Sequence, residues 1–280
     1  MNIHQVAPIA TFMFCAIANV QTATAELPSL TTKEAMGRFA ISENNKYSFH
    51  IECRGRFELL PDGGRKKNVH KTSAIVIEPI IEEVLPNRSF KARAVNYDSF
   101  ESNDPATAEL EKTTIRGQAN GGISFEITTE IHQGTIFYSG KVTNPGPTIK
   151  NPLRFALRIK IPSLYQKLAI KSPKQVEEFK ETLEDDKVSI KWTDGEKVKS
   201  NFSKDVDASS DEINGPGISS VEIDSAAYGG KKVTITAAPN SSLIMSNADS
   251  EPLHKGFNLM WTTDPTKDKD HKAQIAIEVR

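Results

Sequence analysis

Cysteine is nearly absent from this chain: Cys15 and Cys53 are the two among 280 residues. A disulfide-dense scaffold is therefore excluded, and stability has to come from a core. An excess of one charge is missing too. There are 35 Lys and Arg against 36 Asp and Glu, a net charge of −1, so no global field gathers nucleic acid. The densest basic run, Arg65-Lys66-Lys67, follows a turn and reads as a solvated loop. No G-x-S-x-G, Walker A or H-E-x-x-H pattern occurs, which removes the common sequence signals for serine hydrolases, P-loop nucleotidases and zinc peptidases. Aromatic residues are sparse at 7%. Long apolar runs are missing except at the N-terminus.

That N-terminal stretch is informative. Residues 6–20 carry no charge and include Ile9, Phe12, Met13, Phe14 and Ile17. The run is too short to span a bilayer, which takes about 20 apolar residues. It leads to Ala23-Thr24-Ala25, the small-x-small pattern that signal peptidase reads. The expectation is a signal peptide over residues 1–25, a single domain over 26–280, a secreted or periplasmic location and no integral membrane segment after cleavage. The bulky Phe12-Met13-Phe14 before Cys15 argues against a lipobox. Met1–Gln5 contains no Lys or Arg, which fits the usual signal-peptide pattern poorly.

Beyond residue 25 the pattern has period two. Tyr47, Phe49, Ile51 and Cys53 share one strand face, with Ser48, His50 and Glu52 on the other. Phe57–Leu60 runs to Pro61-Asp62-Gly63-Gly64, a turn signal. Ala74–Ile77 and Phe90–Val95 are short strands. Ile123, Phe125, Ile127 and Ile131 alternate with Ser124, Glu126, Thr128, Glu130 and His132. Gln133-Gly134 then turns the chain back through Ile136, Tyr138 and Val142. After Asn144-Pro145-Gly146-Pro147 comes the cleanest strand, with Leu153, Phe155, Leu157, Ile159 and Ile161 on one face and Arg154, Arg158 and Lys160 opposite. Further strands are read at 188–192, 221–223, 233–235, 243–245, 257–261 and 275–279. One helix is expected after Ser172-Pro173, an N-cap and a first-turn proline, with Val176, Phe179 and Leu183 on one face. A weaker helix is expected over Thr32–Phe39, and 199–217 reads as a loop. The fold class is mostly β: an antiparallel β-sandwich with one or two short helices.

The candidates for chemistry are few. Cys53 and His50 lie three apart in a strand and point to opposite faces, so they form no local nucleophile–base pair. Cys53 reads as a buried thiol. Glu126 and Glu130 share a face but lie about 13 Å apart at 3.3 Å per residue, too far for a glycosidase pair, which needs about 5–9.5 Å. Asp205-Val206-Asp207 followed by Asp211-Glu212 hints at calcium, yet Ser210 and Pro216 break the EF-hand template. His50, His70, His132, His254 and His271 show no metal-type spacing to one another, and no metal or cofactor is expected. Trp192 and Trp261 follow the apolar alternation and read as core.

Residues 123–162, "ISFEITTEIHQGTIFYSGKVTNPGPTIKNPLRFALRIKIP", resemble the galactose-mutarotase-like supersandwich domains of carbohydrate-processing proteins. The likeness lies in strand rhythm: strand, tight turn, strand ending in "NPG", apolar strand. No catalytic histidine or glutamate of that family can be placed on a position here. The resemblance implies a supersandwich and an association with carbohydrate. It frames three readings: a carbohydrate-binding or accessory module; a polysaccharide lyase, hydrolase or sugar epimerase; a structural or adhesive envelope protein. A site is expected where one polar sheet face would carry Glu126, Glu130, His132, Lys141, Arg154 and Arg158. An acidic or neutral saccharide is the expected ligand, with Arg154 and Arg158 each free to pair with a carboxylate or sulfate.

Overall fold

The computed structural model describes residues 27–30, 37–61, 74–163, 172–248, 252–263, 268 and 270–280. The expected signal peptide, the Arg65-Lys66-Lys67 run and the Asp62-Gly63-Gly64 turn lie outside them. The first strands are β1 (Arg38–Glu43), β2 (Tyr47–Glu52), β3 (Phe57–Pro61), β4 (Ile75–Val84) and β5 (Phe90–Arg93). Then come β6 (Val95–Ser102), β7 (Lys112–Ala119), β8 (Ile123–His132), β9 (Thr135–Asn144) and β10 (Leu153–Pro162). Helix α1 (Pro173–Glu181) precedes β11 (Lys187–Trp192) and β12 (Lys197–Asn201), and α2 (Asp211–Asn214) precedes β13 (Ile218–Asp224). The chain closes with β14 (Lys232–Ala237), β15 (Ser241–Asn247), β16 (Gly256–Thr263) and β17 (Ile275–Val279).

Among the described residues the named strands pair antiparallel, with one isolated parallel bridge from Ala40 of β1 to Thr107, and they fold back as two layers. Layer I runs β1-β2-β3-β4-β10-β16-β15, with β5 beside the second half of β4. Layer II runs β6-β7-β8-β9-β17-β14-β13-β11-β12. A single pair, Ile218 with Leu243, joins β13 to β15 and makes one curled sheet of the two. β17 sits between β9 and β14 and is what connects the first half of layer II to the second. The mostly-β, sandwich-like class read from the period-two pattern is the fold observed.

The layers meet on the apolar faces that the alternation marked. Tyr138 of β9 takes Phe49 and Phe57 of layer I edge-on, at centroid distances of 6.1 and 5.5 Å. Phe125 of β8 meets Phe155 of β10 at 6.1 Å, and Phe155 meets Trp261. Edge-to-face pairs in this range add to simple area burial. Cys53 and Trp261 are buried in this core, as their alternation predicted. Trp192 is only half-buried; its Nε1–H donates to the Ile213 carbonyl. The β8–β9 turn has Gln133 and Gly134 both at positive φ, 51° and 80°, the geometry of a two-residue hairpin turn. The Ser172 hydroxyl caps α1 by accepting from Gln175 N–H.

Three expectations are corrected. Residues 38 and 39, the end of the weaker helix, are strand β1, whose outer edge is taken up by Thr107; residues 32–36 of that helix lie outside the described residues. The presumed loop at 199–217 holds the end of β12 and the short α2. Strand β7 was not recognised. Its inward positions are Thr113, Ile115, Gly117 and Ala119, too small and mixed to read as an apolar face. No helix among the described residues is long and apolar enough to cross a membrane.

Candidate functional site

The expected polar face is split between the two layers. Glu126 and Glu130 stand on the outer face of layer II, where Glu126 pairs with Lys141 at 3.0 Å and Glu130 with Lys112 at 3.2 Å. His132 is exposed at the hairpin end of β8. Arg154 and Arg158 stand on the outer face of layer I. Because the apolar sides of the layers face each other, these two polar sides point away from one another. The structure brings Arg154 and Arg158 together, but not with the two glutamates or His132.

The outer face of layer I is the richer one, and its register explains why. Strands β4 and β10 align Arg158 with Glu78 and Arg154 with Glu82. Arg158 reaches Glu78 at 2.7 Å, Lys160 reaches the other oxygen of Glu78 at 2.9 Å, and Arg154 Nε reaches Glu82 at 2.6 Å. Burial pushes the Glu78 carboxyl up, but the hydrogen bonds from Lys160 and Arg158 outweigh it and hold it below its ordinary range. Arg154 also lies over the ring of Phe90, 3.6 Å from the centroid. Phe90 and Tyr97, on β5 and β6, are 49% and 38% exposed. Tyr97 feels Glu78, Arg158 and Arg56, which places it beside the same ladder; burial, then Glu78, raises its hydroxyl.

Along the same face, β2 and β3 bring His50 opposite Glu58. His50 Nε2 lies 3.0 Å from Glu58 Oε2, and Arg56 holds Glu58 Oε1 at 2.9 Å. The hydrogen bond from His50 is the main reason the Glu58 carboxyl sits low. Glu52, two residues along from His50, is raised, first by burial and then by repulsion from Glu58. Donor atoms of His50, Glu52 and Glu58 fall within 4.8 Å of one another. The histidine spacings considered in sequence did not reveal this group, because two of its members are glutamates and one comes from across a hairpin. The readable signal was His50-x-Glu52 on the polar side of a strand, followed by Glu58 after a short turn.

Asp205, part of the suspected calcium loop, pairs with Lys180 at 2.6 Å and with His254 at 3.3 Å. Its carboxylate is thus engaged by side chains already.

No family model matches the chain, and no curated protein matches it. Among solved structures it is similar to the alpha-N-acetylgalactosaminidase NagBb from Bifidobacterium bifidum, described in complex with GalNAc. The identity is 11% and the TM-score 0.51, over 86% of this chain and 35% of that one. The chain thus spans about a third of that enzyme's length. It also aligns with the Slr1438 protein from Synechocystis sp. PCC 6803, at 9% identity and a TM-score of 0.46, over 86% of this chain and 95% of that one. At 11% identity the first likeness shows a shared fold.

Proposed function

We propose that the protein is an exported, carbohydrate-associated β-sandwich module that binds a neutral saccharide on the outer face of layer I, beside Phe90 and Tyr97. The observation that carries this reading is the pairing of Arg154, Arg158 and Lys160 with Glu82 and Glu78, next to two exposed rings. A uronate or sulfate would have to displace a carboxylate from a formed ion pair. A neutral pyranose need not: its C–H face covers an aromatic ring while its hydroxyls hydrogen-bond to the edges of the paired Arg and Glu side chains. Phe90 lies under Arg154 at one end of the ladder and Tyr97 beside Glu78 and Arg158 at the other, so exposed rings flank the charged pairs. The fold shared with part of a GalNAc-complexed glycosidase supports the carbohydrate association, and the N-terminal pattern of residues 1–25 supports the secreted or periplasmic location.

A glycan array on the purified protein, run beside a reducing-sugar release assay, tests the proposal. Neutral glycans should bind, and Phe90→Ala with Tyr97→Ala should weaken binding by about tenfold or more while the fold persists by circular dichroism. Preferential binding of acidic glycans would overturn the neutral-ligand reading. A protein that binds no glycan would leave the structural or adhesive reading standing, and release of reducing ends would move the protein to the enzymes.

A further inference from the structure

We propose that His50, Glu52 and Glu58 form a binding site for one divalent transition-metal ion of the zinc class. The three residues belong to a single hairpin. His50 and Glu52 are two apart on β2 and point to the same side. Glu58 stands directly across from His50 on β3. This triangle presents an imidazole and two carboxylates to one point.

Two observations single this group out. The His50 ring is only 3% exposed although it stands on the outer face, and its Nδ1 has no hydrogen-bond partner among the described residues. A buried imidazole with half of its hydrogen-bonding capacity unmet is uncommon, and its other nitrogen, Nε2, is the one turned to Glu58 and so the one that would ligate. Glu52 is the second anomaly. Glu58, Glu78 and Glu82 each have an ion pair, whereas Glu52 has none among the described residues. Glu58 repels this half-buried carboxylate and Arg56, His50 and Arg54 attract it without forming an ion pair, so a cation between the two carboxylates would relieve the repulsion.

The chemistry selects the class of ion. A site containing imidazole suits zinc, copper, iron or nickel, whereas calcium, magnesium and manganese favour oxygen ligands. Zinc takes nitrogen and carboxylate oxygen at about 2.0–2.2 Å. Donor atoms now within 4.8 Å of one another need shift only about an ångström to close on such an ion. Arg56 occupies the far oxygen of Glu58 and leaves the near one toward His50. The site is independent of the saccharide reading, since its ladder of charges lies on β4 and β10.

The test is titration of chelator-treated full-length protein with zinc chloride by calorimetry, with melting temperature as a second readout. The parent protein should take up one zinc per chain and melt at a higher temperature with it. Glu52→Gln should weaken uptake by about tenfold or more and leave the metal-free melting temperature unchanged, because Glu52 holds no ion pair. His50→Ala should abolish uptake. If it fails to fold, Glu52→Gln, whose side chain is only half-buried, keeps the test decisive. Glu126→Gln, on the other layer, should bind zinc as the parent does. Absence of stoichiometric zinc binding, equal affinity in Glu52→Gln, or uptake of calcium in preference to zinc would each overturn the site.

Discussion

Gly140 sits where the ring of Phe155 needs room. A Cβ built at this position overlaps that ring, and Phe155 is itself buried between Phe125 and Trp261. Interiors this dense do not absorb an extra methyl freely. Gly140→Ala is expected to destabilise the fold by about 1–3 kcal/mol, measured by urea unfolding. Trimming the ring in the same chain, Gly140→Ala with Phe155→Leu, should cost less than the sum of the two single changes. Additive costs would mean that the overlap is relieved elsewhere. Gly117 plays a similar part for the Phe125 ring, which explains why a glycine occupies an inward position of β7 and why that strand escaped the apolar pattern.

At the scale of elements, the charge ladder between β4 and β10 makes a prediction about acid. The folded-state pKa of Glu78 is lowered, whereas an unfolded chain titrates glutamate near about 4.3. Its contribution is therefore fully present above that unfolded value and disappears as pH falls through the lower folded one. Unfolding titrations from pH 7 downward should show Glu78→Gln less stable than the parent at neutral pH, with the gap closing in the acid range. A gap of constant size would show that the ladder does not couple to protonation. Sequence gave this pairing no sign. The alternation of β8, β9 and β10 was plain, since each strand carries its own period. What joins β10 to β4, however, is a contact between residues 72 to 82 positions apart, and no local pattern encodes it. For the same reason Glu126 and Arg154 looked like neighbours on one polar face. The turn at Asn144-Pro145-Gly146-Pro147 moves the chain from one layer to the other, and a period-two reading cannot register that move. The His50–Glu58 pair was within closer reach: the two lie eight positions apart across a hairpin, but its register had to be known before the two could be matched.

For the whole molecule, the export proposal has a direct measurement. Intact-mass analysis of protein recovered from a secreted or periplasmic fraction should show a chain beginning at Glu26; a retained Met1 would refute it. The position of β17 bears on the same question in terms of time. Residues 275–279 lie in the middle of layer II, bonded to β9 on one side and β14 on the other. Until they have been synthesised, β6–β9 and β14–β11 are two sheet fragments with open edges and no strand between them. The sandwich therefore cannot close before residues 275–279 have been made, and strand pairings this far apart in sequence form slowly. If the export proposal holds, a polypeptide that crosses a membrane unfolded is well served by a joining strand that lies more than 130 positions along the chain from the β9 residues it pairs with.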